Sequence, residues 1–116
     1  LFEKDFKRNY VHVRDVARAV SHCLGHWERM RGQAYNVGLS EANLSKRELC
    51  EAIRKQVPRF SWQEAAVGRD PDQRNYIVSN AKIEATGFRA EVSLEAGIAE
   101  LIKGYQVVRR QGYANV

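Results

Sequence analysis

The chain has 116 residues, 44% apolar and 28% charged, with 19 Lys and Arg against 14 Asp and Glu for a formal charge of +5. That length fits one domain with a modest core and leaves little room for an autonomous catalyst that also holds a cofactor. No apolar run approaches membrane-spanning length, so the sequence reads as a soluble globular domain, and the positive balance favours anionic partners without choosing among nucleic acids, nucleotides and acidic surfaces. Cys23 and Cys50 match neither a zinc pattern nor a disulfide scaffold, which points to a reducing, cytoplasmic setting. The chain opens at Leu1 without a methionine or a signal-peptide pattern, so its natural start is expected elsewhere.

Residues 1–8 are mixed and charged and read as a connector. Tyr10, Val11, His12 and Val13 alternate and predict a strand over residues 9–13. Asp15 stands before a 3.6-period pattern as an N-cap candidate, and the helix it opens, over residues 16–30, places Val16, Val20, Cys23, Trp27 and Met30 on one buried stripe. Arg31 and Gly32 stop that helix, and a short strand ending at Gly38 follows.

The second helix has the strongest local signature. Ser45 and Glu48 form a capping box, Leu44 and Leu49 a hydrophobic staple, Ile53 and Val57 continue the inner face, and Pro58 ends it. Residues 60–66 can form a strand, 68–75 a loop and 76–79 a brief apolar strand. Asn80 caps a short helix that closes at Gly87, and Ser93 caps the last helix, whose apolar face is Leu94, Ile98, Leu101, Ile102, Tyr105 and Val108. Residues 109–116 form a polar tail. No repeat interrupts this order. The predicted fold class is α/β, a small mixed α+β domain spanning residues 1–116 as one unit.

Arg8, Arg69 and Arg74 are the candidate site residues. A diphosphate needs forked, charge-assisted donors, and all three sit at a strand entrance or in a loop that leads to one, although solvated surface arginines would look the same by composition. Asp72 lies between two of them and can accept from a ribose or sugar hydroxyl or orient an arginine. Asp15 reads as a cap, His12 as a structural residue, and Tyr35 and Asn36 as packing and loop-entry residues. His22 and His26 are four apart on a helix but lack a third metal ligand. Neither a phosphate-cradling glycine-rich turn nor a Tyr-x-x-x-Lys pair is present.

The ordered set R-N-Y-V-H-V-R-D-V-A-R-A, Y-N-V-G, S-x-x-E-L, G-R-D-P-D-Q-R-N-Y-I-V-S-N-A-K-I-E-A-T-G-F and S-L-E-A-G-I-A-E-L-I resembles the C-terminal part of the extended short-chain dehydrogenases, the NAD-dependent nucleotide-sugar epimerases and dehydratases. The resemblance runs from Arg8 to about Tyr105. It implies a substrate-binding domain without its Rossmann domain, in which Arg8 and Arg69 hold the diphosphate of a nucleotide-sugar and Asp72 fixes the nucleotide; Arg74 matches an arginine found in some branches. Asn9 stands where the family usually has aspartate. NAD(P) is implied for the full-length parent, with no cofactor bound by this chain alone, because the glycine-rich turn and the Tyr/Lys pair belong to a part absent here.

On this resemblance, residues 35–38 match an edge strand of a larger sheet, and an unpaired edge predicts a homo-oligomer. A stand-alone oligomeric binding protein derived from the same domain is therefore the alternative. A basic nucleic-acid-binding module, drawn from the net charge and from Arg8 beside Tyr10 and Arg74 beside Tyr76, has no recognisable module behind it.

Overall fold

The computed structural model describes residues 1–64 and 74–110, with side chains through Val108. Among the described residues the sheet is a single antiparallel pair of short strands, β1 (Lys7–Asn9) and β2 (Asn43–Ser45), with Lys7 opposite Ser45, Arg8 opposite Leu44 and Asn9 opposite Asn43. Five helices accompany it among the described residues: α1 (Val13–Gly25), α2 (Trp27–Met30), α3 (Lys46–Gln56), α4 (Ala81–Glu84) and α5 (Leu94–Arg110). The mixed α+β architecture expected from the sequence is present.

Where the signal is local, sequence and structure agree. Ser45 Oγ accepts the Glu48 N–H at 3.2 Å while the Glu48 carboxylate accepts the Ser45 N–H at 2.7 Å, so the capping box forms and α3 starts at Lys46. These bonds from Ser45 hold the Glu48 carboxyl below its usual range. Ser93 Oγ accepts the Ala96 N–H at 3.2 Å at the start of α5, and the turn after α4 closes at Gly87 with φ of +96°, a region that favours glycine. Asn80 precedes α4, but its side chain makes no capping bond.

The first helix departs from expectation in both start and facing. It begins at Val13 because His12 caps it, with Nδ1 accepting the Arg14 N–H at 3.2 Å. Regular strand ends at Asn9, although Tyr10 still donates to the Ala42 carbonyl at 3.0 Å and accepts from Leu39 at 3.2 Å. Gly25 and His26 then divide the expected single helix into α1 and α2. Asp15 is fully buried and is no cap. It accepts the main-chain N–H groups of Glu91 and Val92 at 3.1 and 2.9 Å and an Arg18 N–H at 2.6 Å.

Those bonds turn the face carrying Asp15 and Ala19 inward. Ala19, Met30, Ile83 and Phe88 form the core cluster, with Cys23, Tyr35 and Val37 packed against it. Of the expected stripe, Cys23 and Met30 therefore face the interior, while Val16, Val20 and Trp27 join Val13 and Leu24 as an exposed apolar row. On α5, Ile98 is buried and Leu94 and Ile102 are half-buried, but Leu101, Tyr105 and Val108 are exposed. The helix also continues through Arg110, into the stretch expected as a tail, the rest of which lies outside the described residues.

Three expected strands are not regular strands. Residues 35–37 do alternate, Tyr35 and Val37 half-buried and Asn36 exposed, but no backbone hydrogen bond ties them to other described residues. Residues 60–64 form no regular element, and the rest of that expected strand lies outside the described residues. Residues 76–79 run beside the sheet without joining it, because the Asn43 side chain takes the ladder's place. Its Oδ1 accepts the Val78 N–H at 2.9 Å and its Nδ2 donates to the Val78 carbonyl at 3.0 Å. Asn36 adds a bond to the Ser79 carbonyl at 3.2 Å.

Candidate anion-binding site

Arg8 occupies the middle of β1, half-buried, and its NH1 donates to the Lys7 carbonyl at 2.9 Å. The same carbonyl accepts the Tyr76 N–H at 3.4 Å, and the Lys7 N–H donates to Asn75 Oδ1 at 2.9 Å. Segment 74–78 is thereby strapped along β1, and the Arg8 guanidinium carbon lies 5.3 Å from the centroid of the Tyr76 ring. Arg74, exposed, is carried to the same region by the bond of its neighbour Asn75.

Tyr10, half-buried, follows Arg8 two residues along the chain. Burial pushes its phenol above the usual range, against the pull of Arg8 and Lys46, while Cys50 and Tyr76 add to the rise. Arg8 and Lys46 thus both act on Tyr10, and Arg8 offers a forked guanidinium of the kind that suits an anion with several oxygens. Lys46 was not singled out from the sequence. It reads there as an ordinary first-turn helix residue, and its Nζ donates to the Phe2 carbonyl at 2.9 Å.

Of the four site residues expected from the sequence, Arg8 and Arg74 are brought to one region, and Arg69 and Asp72 lie outside the described residues. Asn9 uses its amide as a donor to the Leu39 carbonyl at 2.8 Å. Its other side closes on Gly38, where an added Cβ would overlap the Asn9 amide oxygen and stand 3.1 Å from Asn80 Oδ1. An aspartate cannot donate to that carbonyl when ionised. Asn9→Asp is expected to cost about 1–3 kcal/mol at neutral pH, read by urea unfolding, with the loss shrinking once acid protonates the new carboxyl. Equal stability at pH 7 would show that the Leu39 contact contributes little.

The remaining candidates have structural partners. His12 Nε2 faces Glu100 at 3.6 Å, and Glu100 also binds Arg14 at 3.1 Å. His22 and His26 stack with ring centroids 4.1 Å apart. Thr86 gives its only hydroxyl proton to the Ile83 carbonyl at 2.6 Å, so His22 Nε2, 2.9 Å from the same oxygen, must donate and has no lone pair for a metal. No group of three or more potential metal ligands occurs among the described residues. Both cysteines are free thiols, and burial raises that of Cys50. No described helix is long and apolar enough to cross a membrane.

No protein-family model matches the chain. Among solved structures it is similar to RMD from Pseudomonas aeruginosa complexed with NADPH, with a TM-score of 0.70 and 24% identity over 92% of this chain. The match covers 34% of the RMD chain, so this chain spans about a third of that protein's length. The likeness establishes a fold shared with part of an NADPH-bound protein.

Proposed function

We propose that this chain is the substrate-binding part of an NAD(P)-dependent nucleotide-sugar epimerase or dehydratase of the extended short-chain dehydrogenase type. In this reading Arg8 grips the nucleotide diphosphate, with Arg69, Asp72 and Arg74 completing the grip. The placement of Arg8 carries it: a guanidinium held mid-strand against an aromatic ring. The fold shared with NADPH-bound RMD supports it. The dinucleotide would be held by a glycine-rich turn, and the chain contains none, so no residue here is assigned to it. Redox chemistry belongs to the cofactor-bearing part, and this part binds and orients the substrate.

Titration calorimetry of the 116-residue chain with UDP-, GDP- and dTDP-sugars tests the assignment. Arg8→Ala is expected to weaken binding by about 10- to 100-fold, the scale of a hydrogen bond to a charged group. Unchanged affinity, or no binding by the unaltered chain, overturns it.

A second reading is a free-standing, self-associating binding protein. Two observations favour it: the backbone of residues 35–37, which bonds to no other backbone among the described residues, and the exposed apolar row of α1. In the first reading, the cofactor-bearing part covers these same surfaces.

A further inference from the structure

We infer that Tyr76 is a positioning residue for Arg8, holding the guanidinium in place for its anion; the inference rests on the diphosphate-gripping reading above. A guanidinium over an aromatic face is attracted by the ring while its N–H edges stay in its own plane, so the contact orients the group without using up donors. The ring lies 5.3 Å from the Arg8 guanidinium carbon.

Its placement there is built into the backbone. One oxygen, the Lys7 carbonyl, accepts both Arg8 NH1 at 2.9 Å and the Tyr76 N–H at 3.4 Å. Asn75 fixes the strap one residue earlier through the Lys7 N–H, and Asn43 fixes it two residues later through Val78. Tyr76 is 40% exposed and lies outside the core cluster, so packing does not explain the ring. A preorganised arginine loses less freedom when a ligand arrives, and that difference appears as affinity.

Calorimetry of the 116-residue chain with inorganic pyrophosphate, and with UDP, GDP, ADP and dTDP in turn, separates the possibilities. Tyr76→Ala is expected to weaken binding by about 3- to 10-fold, Tyr76→Phe to restore it to within about twofold, and thermal unfolding to move little in either variant. In an Arg8→Ala background, Tyr76→Ala is expected to add nothing. An effect of Arg8→Ala without one of Tyr76→Ala overturns the positioning role and leaves the diphosphate reading standing. A further loss in the Arg8→Ala background means that the ring touches the ligand itself, and a loss in Tyr76→Phe means that the hydroxyl acts; either overturns the inference. No effect of Arg8→Ala, or no binding by the unaltered chain, removes the diphosphate reading and this inference with it.

Discussion

Asp15→Ala is expected to destabilise the chain by about 3 kcal/mol, which for a domain of this size is a large share of its total stability. The carboxylate is fully buried and joins α1 to the segment before α5 through two main-chain N–H groups 76 and 77 residues away in sequence. Removing it strands both donors, and each stranded donor costs more than the net worth of the bond it made. Arg18 contributes less to the loss. Its side chain is 38% exposed and also pairs with Glu91 at 2.6 Å, so water and that partner compensate it.

The same residue predicts acid sensitivity. Burial alone would raise the Asp15 carboxyl, but the bonds from Val92, Arg18 and Glu91 outweigh it and hold the group below its reference value of 3.8. A lowered folded-state value contributes stability that is fully present above the unfolded value and is lost as pH falls through the folded one. Stability is therefore expected to drop below about pH 4, and Asp15→Asn to flatten that part of the profile. Urea midpoints from pH 2 to 7 test this. An unchanged acid limb in Asp15→Asn would place the sensitivity in other carboxylates.

The second large effect is expected at the outer row of α1. Val20 and Leu24 are 57% and 66% exposed, and with Val13 and Val16 they present four large apolar side chains on α1, with Trp27 of α2 exposed just beyond them. Burying such a side chain completely is worth about 1.5–3 kcal/mol, and covering the part now exposed roughly half of that. If copies of the free chain pair through this row, Val20→Glu with Leu24→Lys should weaken association by more than about tenfold. Both changes suit an exposed helix position, so folding should be retained. Sedimentation of the two forms decides the matter, and an unaltered chain that is monomeric at every concentration sinks self-association.

The parts of the fold legible in the sequence are those whose causes lie within one helical turn. Ser45 with Glu48, and Ser93 at the start of α5, needed no distant partner. The facing of α1 was not legible, because the row of valines gives the stronger periodic signal while Asp15 answers to main-chain groups far along the chain. Likewise, residues 76–79 have strand composition, but an asparagine side chain fills the place of a neighbouring strand. Arg8 stood out through its motif. The role of Tyr76 did not, since nothing in its own neighbourhood reveals that the Lys7 carbonyl draws it over Arg8.

The strap's dependence on side chains makes it vulnerable at single residues. A backbone ladder fixes many residues at once and resists changes of length on either side. Here the register of segment 75–79 is pinned by Asn75, Asn43 and Asn36, downstream of the stretch that holds Arg69 and Asp72. Each of these asparagines is therefore a single point at which substitution can release the strap, where a ladder would lose one bond among many.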